Sequence, residues 1–198
     1  MTATVAILLT GLREATKAGA ERNEAIFNKR AILLSVENYL GEKTVNQLSD
    51  DEVASVFENQ VEQVVLNMEG EELDNIQAED IEMAKERKKP EAERRLPLYI
   101  FTDSGTGEKF YILSVRGNGL WDEIWGNIAL ESDMETIAGA AFDHQGETPG
   151  LGAEIKDNAS FRKQCEGKKI YDEDGDYTGV VVRTNGARND RYEVDGIS

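Results

Sequence analysis

Cysteine and histidine are nearly absent. The 198 residues hold one of each, Cys165 and His144, which excludes an intrachain disulfide and leaves no Cys/His set for a structural zinc site. So low a cysteine count suits the cytoplasm and an exported domain equally, and it assigns no compartment. Long apolar runs are missing too. Residues 4–12 are apolar but far short of the ~20 that a membrane span needs, and no basic segment precedes them as in a signal peptide. They read either as a helix start that packs on the core or as the final stretch of a longer membrane helix. Basic residues are in deficit, with 22 Lys and Arg against 39 Asp and Glu and a net charge of −17. Such a surface repels phosphate backbones and anionic lipid headgroups, and it sets nucleic acid aside as a partner.

What is present is enough for a core. Hydrophobic residues make up 39% of the chain, with two Trp and six Tyr, so the high charge does not imply disorder, and the length suits one domain with an extension or two very small ones. Glycine divides the chain unevenly: four of the 18 lie in residues 1–104 and fourteen in residues 105–198. The first half therefore reads as helical and the second as loop-rich. Residues 14–39 hold no proline, and Ala15, Ala18, Ala25, Ile26, Ile32, Leu33 and Val36 form a stripe at near-helical spacing, which predicts one long amphipathic helix ending near Gly41. Ser49, followed by Asp50, Asp51 and Glu52, predicts a capped helix to about Asn59. Residues 60–68 read as extended, and residues 81–95, with basic side chains around Pro90, as a solvated turn or linker.

From Leu98 the period becomes that of strands. Residues 98–101 and 110–115 flank Asp103-Ser104-Gly105-Thr106-Gly107 as a hairpin, residues 124–130 and 136–142 continue the sheet around Ser132-Asp133, and residues 180–183 with 192–194 flank Thr184-Asn185-Gly186 as another strand pair. The expected class is α+β: a mainly antiparallel sheet with flanking helices and a long N-terminal amphipathic helix.

Several chemistry-bearing patterns are incomplete. Gly105-Thr106-Gly107 lacks the remaining glycines of a dinucleotide fingerprint and the ending of a P-loop, so no NADH or ATP site is written there. Asp172-Glu173-Asp174-Gly175-Asp176 lacks the ligand spacing and terminal Glu of an EF-hand and reads as an acidic turn. His144 and Glu147 could serve as general acid and base, but no nucleophile is nearby. More telling is the glycine density: Gly146, Gly150 and Gly152 bare the backbone, so N–H groups can approach a planar or anionic ligand. Gly117-Asn118-Gly119-Leu120-Trp121 places a large aromatic beside equally bare backbone, a suitable wall for a flat conjugated ring.

Gly-Asn-Gly-Leu-Trp at 117–121, Glu-Thr-Pro-Gly-Leu-Gly at 147–152, Gly-Lys-Lys at 167–169 and Val-Asp-Gly-Ile-Ser at 194–198 together resemble one family, the C subunit of the bacterial sodium-translocating NADH:quinone oxidoreductase. The resemblance covers residues 98–198. It implies an FMN-carrying electron-transfer subunit that relays electrons from NADH towards quinone, with NADH oxidation and sodium movement in other subunits. In that family FMN is linked through its phosphate to a threonine in a Ser-Gly-Ala-Thr motif, attached by a flavin transferase. Ser198 is the first position of that motif, and the acceptor threonine is absent from this sequence. The G subunit of the related Rnf electron-transport complex shares the His-x-x-Glu-Thr-Pro-Gly-Leu-Gly pattern, and a flavin-free scaffold domain of a membrane complex is the rival from another class.

The resemblance also divides the chain into residues 1–12 as the end of a trimmed membrane helix, 13–97 as a helical and mixed region, and 98–198 as the FMN-binding region. It places a single N-terminal anchor in the bacterial inner membrane, with the rest facing the periplasm, while the 198 residues alone are expected to be soluble. Within the site, Leu120 and Trp121 are expected to pack near the flavin ring. Thr148, Gly150, Leu151 and Gly152 are expected to supply hydrogen bonds and close backbone contacts, and Glu147 to brace its loop. Asp195 to Ser198 would bring the phosphate tether alongside. No metal site and no catalytic residue is expected.

Overall fold

The computed structural model describes residues 2–196. Helix α1 (Thr2–Leu33) opens the chain. Among the described side chains, which do not include that of Ala15, the expected stripe is buried at its far end: Ala18 and Ala25 are exposed, Ile26 is partly covered, and Ile32 and Leu33 are core residues. The α-helix also stops before Gly41, giving way to a 3-10 turn over Leu34–Tyr39 in which Val36 leaves helical geometry at φ −120° and ψ 22°. The cause lies in the sheet beneath, where the Ser35 carbonyl rests on Gly139 so closely that a Cβ there would stand 2.4 Å from it. Helix α2 (Asp50–Gln60) begins as its sequence predicts. The Ser49 hydroxyl accepts the Glu52 N–H at 3.3 Å and the Glu52 carboxylate accepts the Ser49 N–H at 2.8 Å, a reciprocal cap with acids in the first turn.

Five strands follow: β1 (Val61–Leu66), β2 (Leu96–Thr102), β3 (Lys109–Asn118), β4 (Glu123–Leu130) and β5 (Ile137–His144). They form one sheet in chain order, every neighbouring pair antiparallel. The β2–β3 hairpin turns as expected, with Asp103 accepting the Gly105 N–H and the Thr106 hydroxyl, each at 2.8 Å, and Gly107 at φ +76°. One sheet face packs Tyr99, Phe101, Phe110 and Ile112 against Leu33, Val36, Val53 and Phe57. On β4 and β5 a second core forms from Leu130, Ile137 and Ala140 with Phe161, Cys165 and Val194. It is covered by the C-terminal strand and by two short helices that follow the helical turn α3 (Met83–Glu86) in chain order, α4 (Glu154–Asp157) and α5 (Ala159–Lys163).

Two expectations change. Residues 81–95 are anchored rather than a free linker: Ile81 is buried, α3 forms within them, and Glu86 is 3% exposed. Its carboxylate accepts Lys89 and Arg95 side chains, each at 2.8 Å, and the Arg95 N–H at 3.1 Å. The last strands, β6 (Val181–Arg183) and β7 (Glu193–Asp195), do pair, but in parallel. Glu193 explains this, accepting the N–H groups of Arg188 and Asn189 at 2.7 and 3.0 Å and the Arg183 Nε at 2.7 Å. Those bonds gather residues 184–192 into a crossover and hold the Glu193 carboxyl down at about 2. No helix among the described residues is long and apolar enough to cross a membrane.

Gly139→Ala should cost about 1–3 kcal/mol, because buried backbone on both sides must shift, and a lowered denaturant midpoint with unchanged slope would show it. Burial opposes ionisation of Glu86, yet its bonds to Lys89 and Arg95 hold the carboxyl at about 2. A folded pKa below the unfolded value of ~4.3 gives stability that is present above that value and lost as pH falls towards 2. Glu86→Gln should therefore lower stability at neutral pH and flatten the acid limb of a stability–pH curve between those values.

Candidate functional site

Two glycine-rich loops leave the same end of the sheet. Residues 119–122 join β3 to β4, and residues 145–153 follow β5, whose last residue His144 is paired with Ile124. The loops meet at Glu147, which is 7% exposed. Its Oε1 accepts the N–H of Trp121 at 3.0 Å and that of Asp122 at 3.4 Å. The same oxygen lies 2.1 Å from where a Cβ on Gly119 would stand, and Oε2 lies 2.4 Å from the corresponding point on Gly152. Both glycines therefore leave room for one carboxylate. The Gly119 N–H donates to the Asp122 carbonyl at 2.7 Å, and the Leu151 and Ala153 N–H groups donate to the Thr148 carbonyl at 3.1 and 3.2 Å.

This geometry brings Leu120, Trp121, Glu147 and Gly152 together and leaves Thr148, Gly150 and Leu151 on the second loop, with Gly150 and Leu151 exposed. Thr148 is exposed as well. Leu120 is 84% exposed, Trp121 72% and Leu151 55%, so the loops present apolar surface that the protein itself does not cover. Among the described residues no protein acceptor takes the N–H of Gly150 or Gly152. Bare backbone, spare donors and open apolar side chains suit a flat, partly polar ring such as the isoalloxazine of FMN. The ligand would lie on an open face, since a cavity of about 60 Å³ beside Ser35 and α5 and a hollow of about 440 Å³ at the 172–175 turn do not include these loops. Ser198 lies outside the described residues, while the chain leading to it is fixed by the Asp195 N–H on the Gln164 side chain at 2.8 Å and the Gly196 N–H on the Arg183 carbonyl at 2.7 Å.

The acid–base reading of His144 and Glu147 does not match their bonds. The imidazole Nδ1 accepts the Glu147 backbone N–H at 3.3 Å, and the carboxylate is spent on the other loop. Asp172 holds its own turn by accepting the Asp174 and Asp176 N–H groups at 3.0 and 2.9 Å, and no metal-holding group of side chains occurs among the described residues. Burial raises the Cys165 thiol to about 11, far from the thiolate that redox exchange needs.

Sequence reasoning missed a brace at the root of the first loop. Arg116 lies with its guanidinium 4.9 Å from the Trp125 ring and bonds Glu123 through Nε at 3.1 Å. Arg87, just past α3, reaches Asn118 at 3.3 Å and Glu123 at 3.4 Å. Hydrogen bonding from Arg116 lowers the Glu123 pKa. The local sequence signal for this brace is weak: Arg116 and Trp125 are cross-strand partners only once the β3–β4 register is known.

A family model described as FMN-binding domain matches residues 119–198, taking in both loops. Among curated proteins, the chain is 35% identical over 123 residues to the C subunit of the Na(+)-translocating NADH-quinone reductase of Vibrio anguillarum, covering 61% of this chain and 48% of the relative. It is 36% identical over 124 residues to the protein of the same name from Pseudomonas aeruginosa, covering 61% and 45%. The chain spans about half the length of these relatives. Among solved structures it is similar to the C subunit of the Na(+)-translocating NADH-quinone reductase from Parabacteroides distasonis, with a TM-score of 0.76 and 30% identity, covering 91% of this chain and 83% of that one. The fold is also that of NqrC from Shewanella oneidensis, with a TM-score of 0.72, 23% identity and coverage of 91% and 85%.

Proposed function

The chain belongs to the family formed by the C subunits of the Na(+)-translocating NADH-quinone reductases, and from that premise we propose that it is the FMN-carrying, electron-relaying part of such a protein. The observation that carries the proposal is the overlap between the FMN-binding match and the two loops joined at Glu147, where Leu120, Trp121 and Leu151 stand uncovered beside bare backbone. Bound FMN would supply electron acceptance and donation, chemistry that the side chains of this site do not offer. Leu120 and Trp121 would wall the ring, and Thr148, Gly150, Leu151 and Gly152 would approach it with backbone and hydroxyl groups. Residues 195–198 would lead to a threonine tether, attached by a flavin transferase in a longer natural chain.

On this reading residues 98–198 form the flavin region, built on a sheet that β1 of the preceding region completes through its pairing of Val61 with Phe101 and Leu66 with Leu96. Residues 1–12 would be the end of a membrane anchor, with the flavin region on the periplasmic side of the inner membrane. The partners would be the other subunits of the complex, which would carry NADH oxidation and sodium movement.

Intact-mass spectrometry tests the tether. The 198-residue chain should carry no covalent flavin, because the Gly-Ala-Thr that would follow Ser198 in the motif, with its acceptor hydroxyl, is not among its residues. A chain extended through Gly-Ala-Thr and exported with the transferase should gain the mass of one FMN. An adduct on the short chain, or none on the extended one, would overturn the assignment. In the loaded protein, Trp121→Ala should raise flavin fluorescence severalfold, since a stacked indole quenches the ring's emission; unchanged emission would remove Trp121 from the wall.

A further inference from the structure

Three carboxylates are buried among the described residues, and they are held in different ways. Glu86 meets Lys89 and Arg95, and Glu193 meets Arg183. Glu147, 7% exposed, makes no ion pair among the described residues; its partners are the Trp121 and Asp122 N–H groups. A buried charge without a counter-charge is costly, and a fold retains one where its geometry is needed. Here the geometry is a bridge. One oxygen holds the loop that carries Leu120 and Trp121, while the other fills the space that Gly152 leaves open in the second loop. The Glu147 N–H is itself fixed on His144 Nδ1 at the end of β5, so the bridge is referred back to the sheet.

Resting on the FMN reading above, we infer that Glu147 is the positioning residue of the flavin site: its carboxylate fixes the spacing of the two loops and holds an unneutralised negative charge beside the ring. Its first action is mechanical. A charge-assisted bond to the Trp121 N–H sets the backbone from which the indole projects. Its second is electrostatic, because a fixed negative charge opposes electron uptake and lowers the reduction potential of a neighbouring flavin.

The bridge can be tested without flavin by amide exchange of the 198-residue chain. Glu147→Ala should raise Trp121 and Asp122 exchange about tenfold or more, as expected for loss of a charge-assisted bond, and Glu147→Gln, which keeps one acceptor oxygen, should restore part of the protection. Gly152→Ala should lower Tm by several degrees in the wild type and by less in the Glu147→Ala background, where the opposing carboxylate is gone. Unchanged Trp121 exchange in both Glu147 variants, or a full Gly152→Ala penalty in both backgrounds, overturns the bridge. In the FMN-loaded full-length protein, Glu147→Gln should raise the flavin midpoint potential, a readout that loop stability alone would not move in a fixed direction. Loosened loops with an unchanged or lowered potential overturn the electrostatic role while FMN is still carried. Absence of FMN from the wild-type full-length protein overturns the reading on which this role rests and leaves the exchange result to decide the bridge.

Discussion

Backbone laid directly on backbone, Ser35 on Gly139, is the contact around which the two cores are arranged. Strand β5 has apolar residues in contact with both. A register shift between Ala129 and Leu130 inserts an extra residue into β5, so that Ala138 serves the first core while Ile137 and Ala140 serve the second. The side chains there are small because the chain that ends α1 must cross the sheet at close range. Ser35, buried and donating its hydroxyl to the Ile32 carbonyl at 2.7 Å, turns the helix out of α geometry at that crossing. The fold thus trades side-chain volume on β5 for the approach of a helix whose residues 16–25 are left exposed.

The same strands position the candidate site. Loops are accurate only when their ends are, and these begin where β3, β4 and β5 are already paired to their last residues, Asn118 with Glu123 and Ile124 with His144. On one side Arg87 and Arg116 converge on Glu123; on the other Lys156 meets Asp143 at 2.9 Å. The loop roots therefore carry paired charges, while the loop tips carry Leu120, Trp121 and Leu151. Rigid, ion-paired roots beneath exposed apolar tips are the arrangement expected of a site whose ligand completes the packing.

Features encoded within a few residues were legible in the sequence. Ser49 with Glu52 wrote the start of α2, Asp103 to Gly107 wrote the β2–β3 turn, and strand alternation from Leu98 onward gave the antiparallel sheet. Features settled by distant partners were not. The early end of α1 depends on Gly139, far along the chain. The anchoring of residues 81–95 depends on Glu86, which a run of basic residues disguised although two of those bases are its partners. The parallel course of β6 and β7 depends on three bonds to Glu193. In the site, the glycine density and Trp121 were readable, but why Gly119 and Gly152 are glycines was not, since the reason is one carboxylate between them.

That carboxylate also decides which end of the proposed cofactor these loops can serve. Bare amides in a glycine-rich loop could equally cradle an anion, and from sequence alone a phosphate could have been placed there. The structure assigns the Trp121 and Asp122 N–H groups to Glu147, so the two donors nearest the exposed indole are occupied by a negative charge. A phosphate brought to the same spot would meet a buried carboxylate with no ion-pair partner among the described residues, at a distance where repulsion in a poorly solvated site outweighs any remaining amide bond. An uncharged ring avoids that penalty: it covers Leu120 and Trp121, and it can accept from Gly150 and Gly152, whose N–H groups have no protein acceptor among the described residues. On the proposed reading the ring lies at the loops and the phosphate lies away from them, an orientation that follows from the placement of Glu147 and agrees with a tether approaching from beyond β7.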